Sequence, residues 1–197
     1  MPDISPTPRT ADHPVAAQFL ARWSPRAFSP ATVTQAQVMT LLEAARWAPS
    51  ANNFQPGRFV WGLRGDTGFD AIAAGLVPFN LGWAGKAAAL IVVASKTTVA
   101  KDGVEVANAY HGFDAGAAWA QLALQAQASG LIAHAMAGFD HAVLAENLAL
   151  PDNHALHAVV AVGYQGDAAD LPAALQAREH PNDRLPLTQT AWHGRFA

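Results

Sequence analysis

The 197-residue chain contains no cysteine. That excludes disulfides, thiolate metal centres, iron–sulfur clusters and a cysteine nucleophile, and it fits a reducing compartment. Charge is scarce: Asp, Glu, Lys and Arg make up 14% of residues and leave a net charge of −3 with histidine neutral. With no basic run in the chain, a nucleic-acid partner is not expected. The longest apolar run, 87–94, is too short to cross a bilayer. Residues 1–14 are polar and punctuated by proline, unlike a secretory signal with its basic start and apolar centre. A soluble, cytoplasmic protein with no membrane partner is expected. No Gly-x-Gly-x-x-Gly follows an expected strand, and neither a Gly-x-Ser-x-Gly elbow nor a phosphate loop occurs, so a resident dinucleotide-binding domain is not expected.

What is abundant is apolar: 51% of residues are hydrophobic. A chain of this length is expected to form one domain, 1–197, with residues 1–14 as an N-terminal arm and about 165–197 as a C-terminal extension. A monomer of this size would bury roughly 70% of its unfolded surface. The low charge suggests still more hidden apolar surface, for which homo-oligomerisation is an outlet. Alanine enrichment, which inflates the hydrophobic count without demanding burial, is the alternative.

The local pattern mixes helices and strands without strict alternation, which favours an α+β fold. A short amphipathic helix is expected at 15–20. Thr34 with Gln37 forms a capping box, and Val33 with Val38 a hydrophobic staple, so a helix should begin at Gln35 and bury Val38, Leu41, Leu42 and Ala45. Strands are expected at 58–63, 87–95, 131–136 and 157–163. The second of these, almost wholly apolar, should be buried on both faces. Helices are expected at 67–74, at 108–129 with Gly130 as the stop, and at 141–148 behind the cap Asp140. The 108–129 helix is rich in alanine and glycine. It is either a core helix alone or a core helix that also packs on a second subunit.

Two stretches carry candidate chemistry. In Arg22-Trp23-Ser24-Pro25-Arg26, Pro25 biases Ser24 away from helix, so Arg22, Ser24 and Arg26 should share one face of an extended segment. Two guanidinium forks and a hydroxyl suit a phosphate. In 48–56, Ser50, Asn53 and Gln55 sit between Pro49 and Pro56 and offer neutral donors and acceptors, suited to the edge of a heterocycle or a ribityl chain. Taken singly, the first stretch reads as a solvated loop and the second as a turn.

Together and in this order, the two stretches resemble the FMN-dependent nitroreductase family, with its arginine-x-serine-x-arginine start, a helix, then alanine-proline-serine, asparagine and glutamine before a proline. Asn80, Gly130-Leu131, Gly138-Phe139-Asp140 and Arg184-Leu185-Pro186-Leu187 extend the resemblance over about 15–190. Gly57 stands where a tryptophan is common, and Ile132 where a second glycine often follows Gly130-Leu131. The resemblance implies a central mixed, mostly antiparallel sheet flanked by helices, with the long helix at a dimer interface. It implies that Arg22, Ser24, Arg26 and Arg184 hold the phosphate and ribityl of FMN. Pro49, Ser50, Asn53, Gln55 and Asn80 would line the ribityl and ring, and Ala137-Gly138 would present backbone N–H groups near N5 and O4. It further implies a homodimer with the flavin between subunits, and a ping-pong cycle in which NADH or NADPH visits as hydride donor to a nitroaromatic, quinone or enone. No side chain is singled out as catalytic, because hydride enters and leaves at the flavin. A specialised member acting on a halogenated aromatic or an unsaturated aldehyde is a further possibility.

Rival readings are a flavin store or sensor without turnover, and a metal enzyme. For the latter, His154 and His157 with Asp152, or His134 with His141, are the candidates, but their spacings match no helical pair one turn apart, and no metal site is expected. A core hydrogen bond is expected for His134. The six tryptophans are spread along the chain and suit core and interface anchoring better than a ligand-binding cluster.

Overall fold

A sheet of four strands in the order β1-β2-β6-β5 organises the computed structural model, which describes residues 9–196. Residues 1–8 of the expected arm, and residue 197, lie outside the described residues. The strands are β1 (Gly57–Leu63), β2 (Ala89–Lys96), β5 (Ile132–Met136) and β6 (His154–Gly163), and a separate hairpin is formed by β3 (Thr98–Lys101) and β4 (Val104–Ala107). Every pairing among the described residues is antiparallel. The helices are α1 (Ala17–Ala21), α2 (Gln35–Arg46), α3 (Thr67–Ala73), α4 (Pro78–Ala84), α5 (His111–Ala128), α6 (His141–Asn147) and α7 (Ala173–Gln176).

The central strands are apolar over 89–94 of β2 and 158–163 of β6 because both faces of the sheet are covered there. Leu90 and Val92 of β2, with Val159 and Ala161 of β6, face a layer containing Phe69 and Ile72 of α3, Trp83 of α4 and Leu144 of α6. The intervening residues Ile91, Val93, Val160 and Val162 face Val38 and Leu41 of α2 and Ala115, Ala118 and Leu122 of α5. Period-2 alternation in the strands thus feeds two cores, and α5 spans one of them for about 27 Å.

The expected boundaries hold where a local signal defines them. Thr34 Oγ1 accepts from Gln37 N–H and Gln37 Oε1 from Thr34 N–H, closing the capping box before α2. Val38, Leu41 and Ala45 are buried as expected, with Leu42 partly so. Asp140 caps α6 through Ala142 and Val143 N–H, and Gly130 leaves α5 at φ 72°. The helix itself starts at His111 rather than 108, because Asn108 is drawn into a turn whose N–H donates to Thr97 O. The tail from 165 is less irregular than expected: Leu171 and Leu175 insert into the core.

Candidate functional site

α1 delivers the chain in extended form at Arg22, and Pro25 keeps it so through a segment that runs along the end of the sheet. Arg22 and Ser24 line a hollow of about 400 Å3 whose opposite wall is Trp119, Ala120, Ala123 and Leu124 of α5, closed by Ala135 of β5 and Phe19 of α1. Arg22 Nη1 donates to Ser24 Oγ at 3.4 Å. The Arg22 backbone carbonyl accepts from Arg9 Nη1 at 2.9 Å. Burial first, then the like charges of Arg184 and Arg9, push the Arg22 pKa below its ordinary value. Arg184 and Arg9, which line a second hollow together with Asp183, therefore repel Arg22, while Asp183 favours the Arg9 charge, and among the described residues neither Arg22 nor Arg184 has a carboxylate in salt-bridge contact. Such a cluster is relieved by a bound dianion.

Arg26 is turned elsewhere. Its guanidinium lies over the Trp83 ring, 5.8 Å from the centroid, and does not join Arg22 and Ser24 in lining the hollow. Trp83 in turn stacks on Phe28 and tilts against His134, whose Nδ1 hydrogen-bonds the Pro25 carbonyl at 3.1 Å. His134 is thus a core histidine tying β5 to the arginine segment.

Asn80, on α4 and buried, donates from Nδ2 to the Gly138 carbonyl at 2.9 Å, which also accepts from Val77 N–H. Position 138 is tight: a Cβ there would stand 2.4 Å from Asn80 Nδ2, so the Asn80 amide would have to shift. The Gly138 N–H donates to no backbone carbonyl among the described residues. Ala137 and Gly138 follow directly on β5, and Ala137 offers no side-chain acid or base.

The second stretch lies apart. Pro49, Ser50 and Gln55 line another hollow, of about 560 Å3, with Met39 and Leu42 of α2, Phe59 and Trp61 of β1, and Asp114 of α5. Asn52, Asn53 and Gln55 all have positive φ, at 48°, 56° and 49°. Left-handed backbone costs a non-glycine residue about 1–2 kcal/mol, least for Asn, so this segment is held by its contacts. Ser50 Oγ accepts from Gln55 N–H at 2.9 Å, Gln55 Nε2 donates to Asn53 O at 3.2 Å, and the buried Asp114 carboxylate accepts from Ala51 N–H at 3.2 and 3.3 Å. Asp114→Ala is expected to leave that N–H unpaired at a cost of about 1–3 kcal/mol, with proteolysis concentrated at 50–56. Urea unfolding and limited proteolysis check this, and Asp114→Asn, which keeps an acceptor oxygen, should lose less. The two hollows share no lining residue. One copy of the chain therefore presents the two halves of the expected clamp on separate surfaces.

Gly57 opens β1 beside the second hollow, where a Cβ would make only ordinary contacts, and Ile132 is buried at the start of β5. The metal candidates do not assemble. His157 Nε2 and His111 Nδ1 both hydrogen-bond the buried Ser95 hydroxyl, at 2.7 and 2.8 Å, while His154 Nδ1 bonds Asn153. Among the described residues no three His, Asp or Glu side chains converge on a metal-sized site. Among the described residues no helix is long and apolar enough to cross a membrane.

These histidines set a pH dependence. Burial and then His111 lower the His157 pKa from its ordinary 6.5, and burial and then Arg26 lower that of His134. A base held neutral in the fold is protonated first in the unfolded chain, so stability is independent of these groups well above about pH 6.5 and falls as pH drops below it towards the folded values. Urea midpoints between about pH 7.5 and about pH 5.5 should decline, and His157→Gln should flatten the decline.

Sequence reasoning missed Arg9, Asp114, Trp119 and Glu179. The Glu179 carboxylate accepts from the backbone N–H groups of Arg26 and Ala27. Asp114 carried a weak signal as an acid in the first turn of a helix. A glutamate in a polar tail carried none.

The donor set suits a flavin mononucleotide. The Arg22 guanidinium and the Ser24 hydroxyl flank a hollow with an apolar wall, and a glycine N–H without a backbone acceptor among the described residues stands at the end of β5. The family model for the Nitroreductase family matches residues 20–73 and 74–164. Over 148 residues the chain is 42% identical to the uncharacterized 15.4 kDa protein in the ask 5′ region of Mycolicibacterium smegmatis, covering 71% of this chain and 97% of that protein. A crystal structure described as an oxidoreductase containing FMN is similar at 39% identity with a TM-score of 0.95, covering 98% of each chain. A Desulfovibrio desulfuricans structure described as a complex with FMN matches at 26% identity with a TM-score of 0.73, covering 95% of this chain and all of the other.

Proposed function

The chain belongs to the nitroreductase family, and from that premise we propose that it is an FMN-dependent oxidoreductase taking hydride from NADH or NADPH and reducing an electron-poor acceptor, such as a nitroaromatic, quinone or enone, in a ping-pong cycle. The observation that carries the reading is Arg22 and Ser24 lining an apolar-walled hollow, with Arg9 and Arg184, which line a second hollow, near enough to act on the Arg22 charge. Arg22, Ser24 and Arg184 would hold the phosphate, and Arg26, Asn80 and the Gly138 N–H would address the ring. When bound, FMN supplies the hydride and electron chemistry. The chain binds and orients it: cations neutralise the phosphate, the Asn80–Gly138 contact fixes the backbone donor, and α5 with Ala135 excludes water from one side. No proton-transferring side chain is required.

The reading includes a homodimer in which Pro49, Ser50, Asn53 and Gln55 of a second copy complete each site. Supporting it, α5 exposes Phe113 at 80% together with Gly116 and Ala120, and Trp47 is 72% exposed beside the second hollow. Apolar surface on this scale is a feature of interfaces. The activity test is anaerobic mixing of the FMN-loaded protein with NADH or NADPH. Rapid bleaching of the flavin absorbance, restored by a quinone, is the expected result. A flavin that stays oxidised would favour a store or sensor.

A further inference from the structure

Glu179 lies beyond the residues matched by the family model, on the tail after α7. One of its carboxylate oxygens, Oε1, accepts from two successive backbone N–H groups, Arg26 at 2.6 Å and Ala27 at 2.8 Å. The other, Oε2, is buried without a hydrogen-bond partner among the described residues. A carboxylate that spends one oxygen on two adjacent amides fixes the backbone there, and so fixes where the Arg26 side chain departs. Burial of its second oxygen away from bulk solvent leaves its negative charge poorly screened.

The surroundings are charged on both sides. The Arg26 guanidinium lies over Trp83 and is influenced by the positive Arg178 and the negative Glu179. His134, tilted against the same Trp83, is likewise influenced by Arg26 and Glu179 in opposite senses. Arg178 and Arg26 favour any group that gains negative charge on reduction, and Glu179 works against them.

We propose that Glu179 is a positioning residue that holds the 26–27 backbone and, by offsetting part of the Arg26 charge, lowers the reduction potential of a flavin bound against Arg26. The inference rests on the reading that FMN occupies this site. Its chemistry is general: cations near a flavin stabilise the reduced form, and a carboxylate beside the cation weakens that effect.

The test compares the FMN-loaded wild type with Glu179→Gln and Glu179→Ala by FMN titration and by spectroelectrochemistry. Glu179→Gln keeps an oxygen to accept the two N–H groups and loses the charge. It should hold oxidised FMN within about threefold of the wild type, yet favour reduced over oxidised flavin about tenfold more, an upward shift of ~30 mV for a two-electron couple. Glu179→Ala should also bind FMN about tenfold or more weakly, because both amides lose their acceptor. If the alanine variant fails to fold, the glutamine variant carries the test alone. A wild type that binds FMN, with a Glu179→Gln potential equal to it or lower, overturns this inference and leaves the proposed function standing. A wild type that takes up no FMN overturns both.

Discussion

Arg22→Ala is expected to weaken FMN binding by roughly 10- to 150-fold, the equivalent of one charge-assisted hydrogen bond worth about 1.5–3 kcal/mol. The sign of the accompanying stability change separates a binding role from a structural one. In the ligand-free protein, Arg22 is repelled by Arg184 and Arg9 and partly desolvated. Its removal relieves that repulsion, so the thermal midpoint without FMN should hold or rise slightly. With saturating FMN the midpoint of the variant should fall below that of the wild type, because ligand stabilisation scales with affinity. Raising the salt should narrow the difference in affinity, since the cluster is open to solvent at its rim. A variant that loses stability equally with and without FMN would make Arg22 a structural residue.

The second large effect concerns α5. Gly116 is exposed in one copy of the chain, and a Cβ there would meet nothing within 4 Å. For a chain that works alone, Gly116→Arg replaces a poor helix former with a good one and should stabilise by about 0.5–1 kcal/mol. For a chain whose α5 packs on a second copy, the same change inserts a long cation into a close apolar contact. We expect the latter: sedimentation should report a monomer, and FMN should be lost along with the dimer because in the proposed dimer each site would take Ser50, Asn53 and Gln55 from the other copy. A variant that remains dimeric and binds FMN normally would remove α5 from the interface. A stable monomer that keeps its FMN would show that one copy suffices for the site.

Elements with a local cause were legible in the sequence. Thr34 and Gln37 announced α2 because the capping box is closed within four residues, and the unbroken apolar run announced β2 because burial on both faces leaves no room for polarity. The β3–β4 hairpin was not read, since its short strands are largely exposed and present no buried face. Its turn, Asp102-Gly103 with positive φ at both residues, was the available signal. α4 was also missed: Pro78 at its first turn is compatible with a helix start, but seven residues carry little periodicity.

The same division holds at the site. Arg22 and Ser24 were legible because two residues apart on an extended segment share a face, and Pro25 ensured extension. Arg26, by the same rule, should have joined them. Trp83, 57 positions later in the chain, and the amide contacts of Glu179 draw it to a different environment. Asp114 and Glu179 act across 63 and 153 residues, and nothing near either one in the chain hints at its partner. That Ser50 and Gln55 line a separate hollow from Arg22 and Ser24 is a tertiary fact beyond any local pattern.

The most direct test is titration of the purified, ligand-free protein with FMN, followed by flavin fluorescence and by sedimentation. The account predicts saturable quenching at one FMN per chain, carried by a species of twice the chain mass. Flavin fluorescence that rises in proportion to added FMN from the first addition, with no quenching below one FMN per chain, would contradict it.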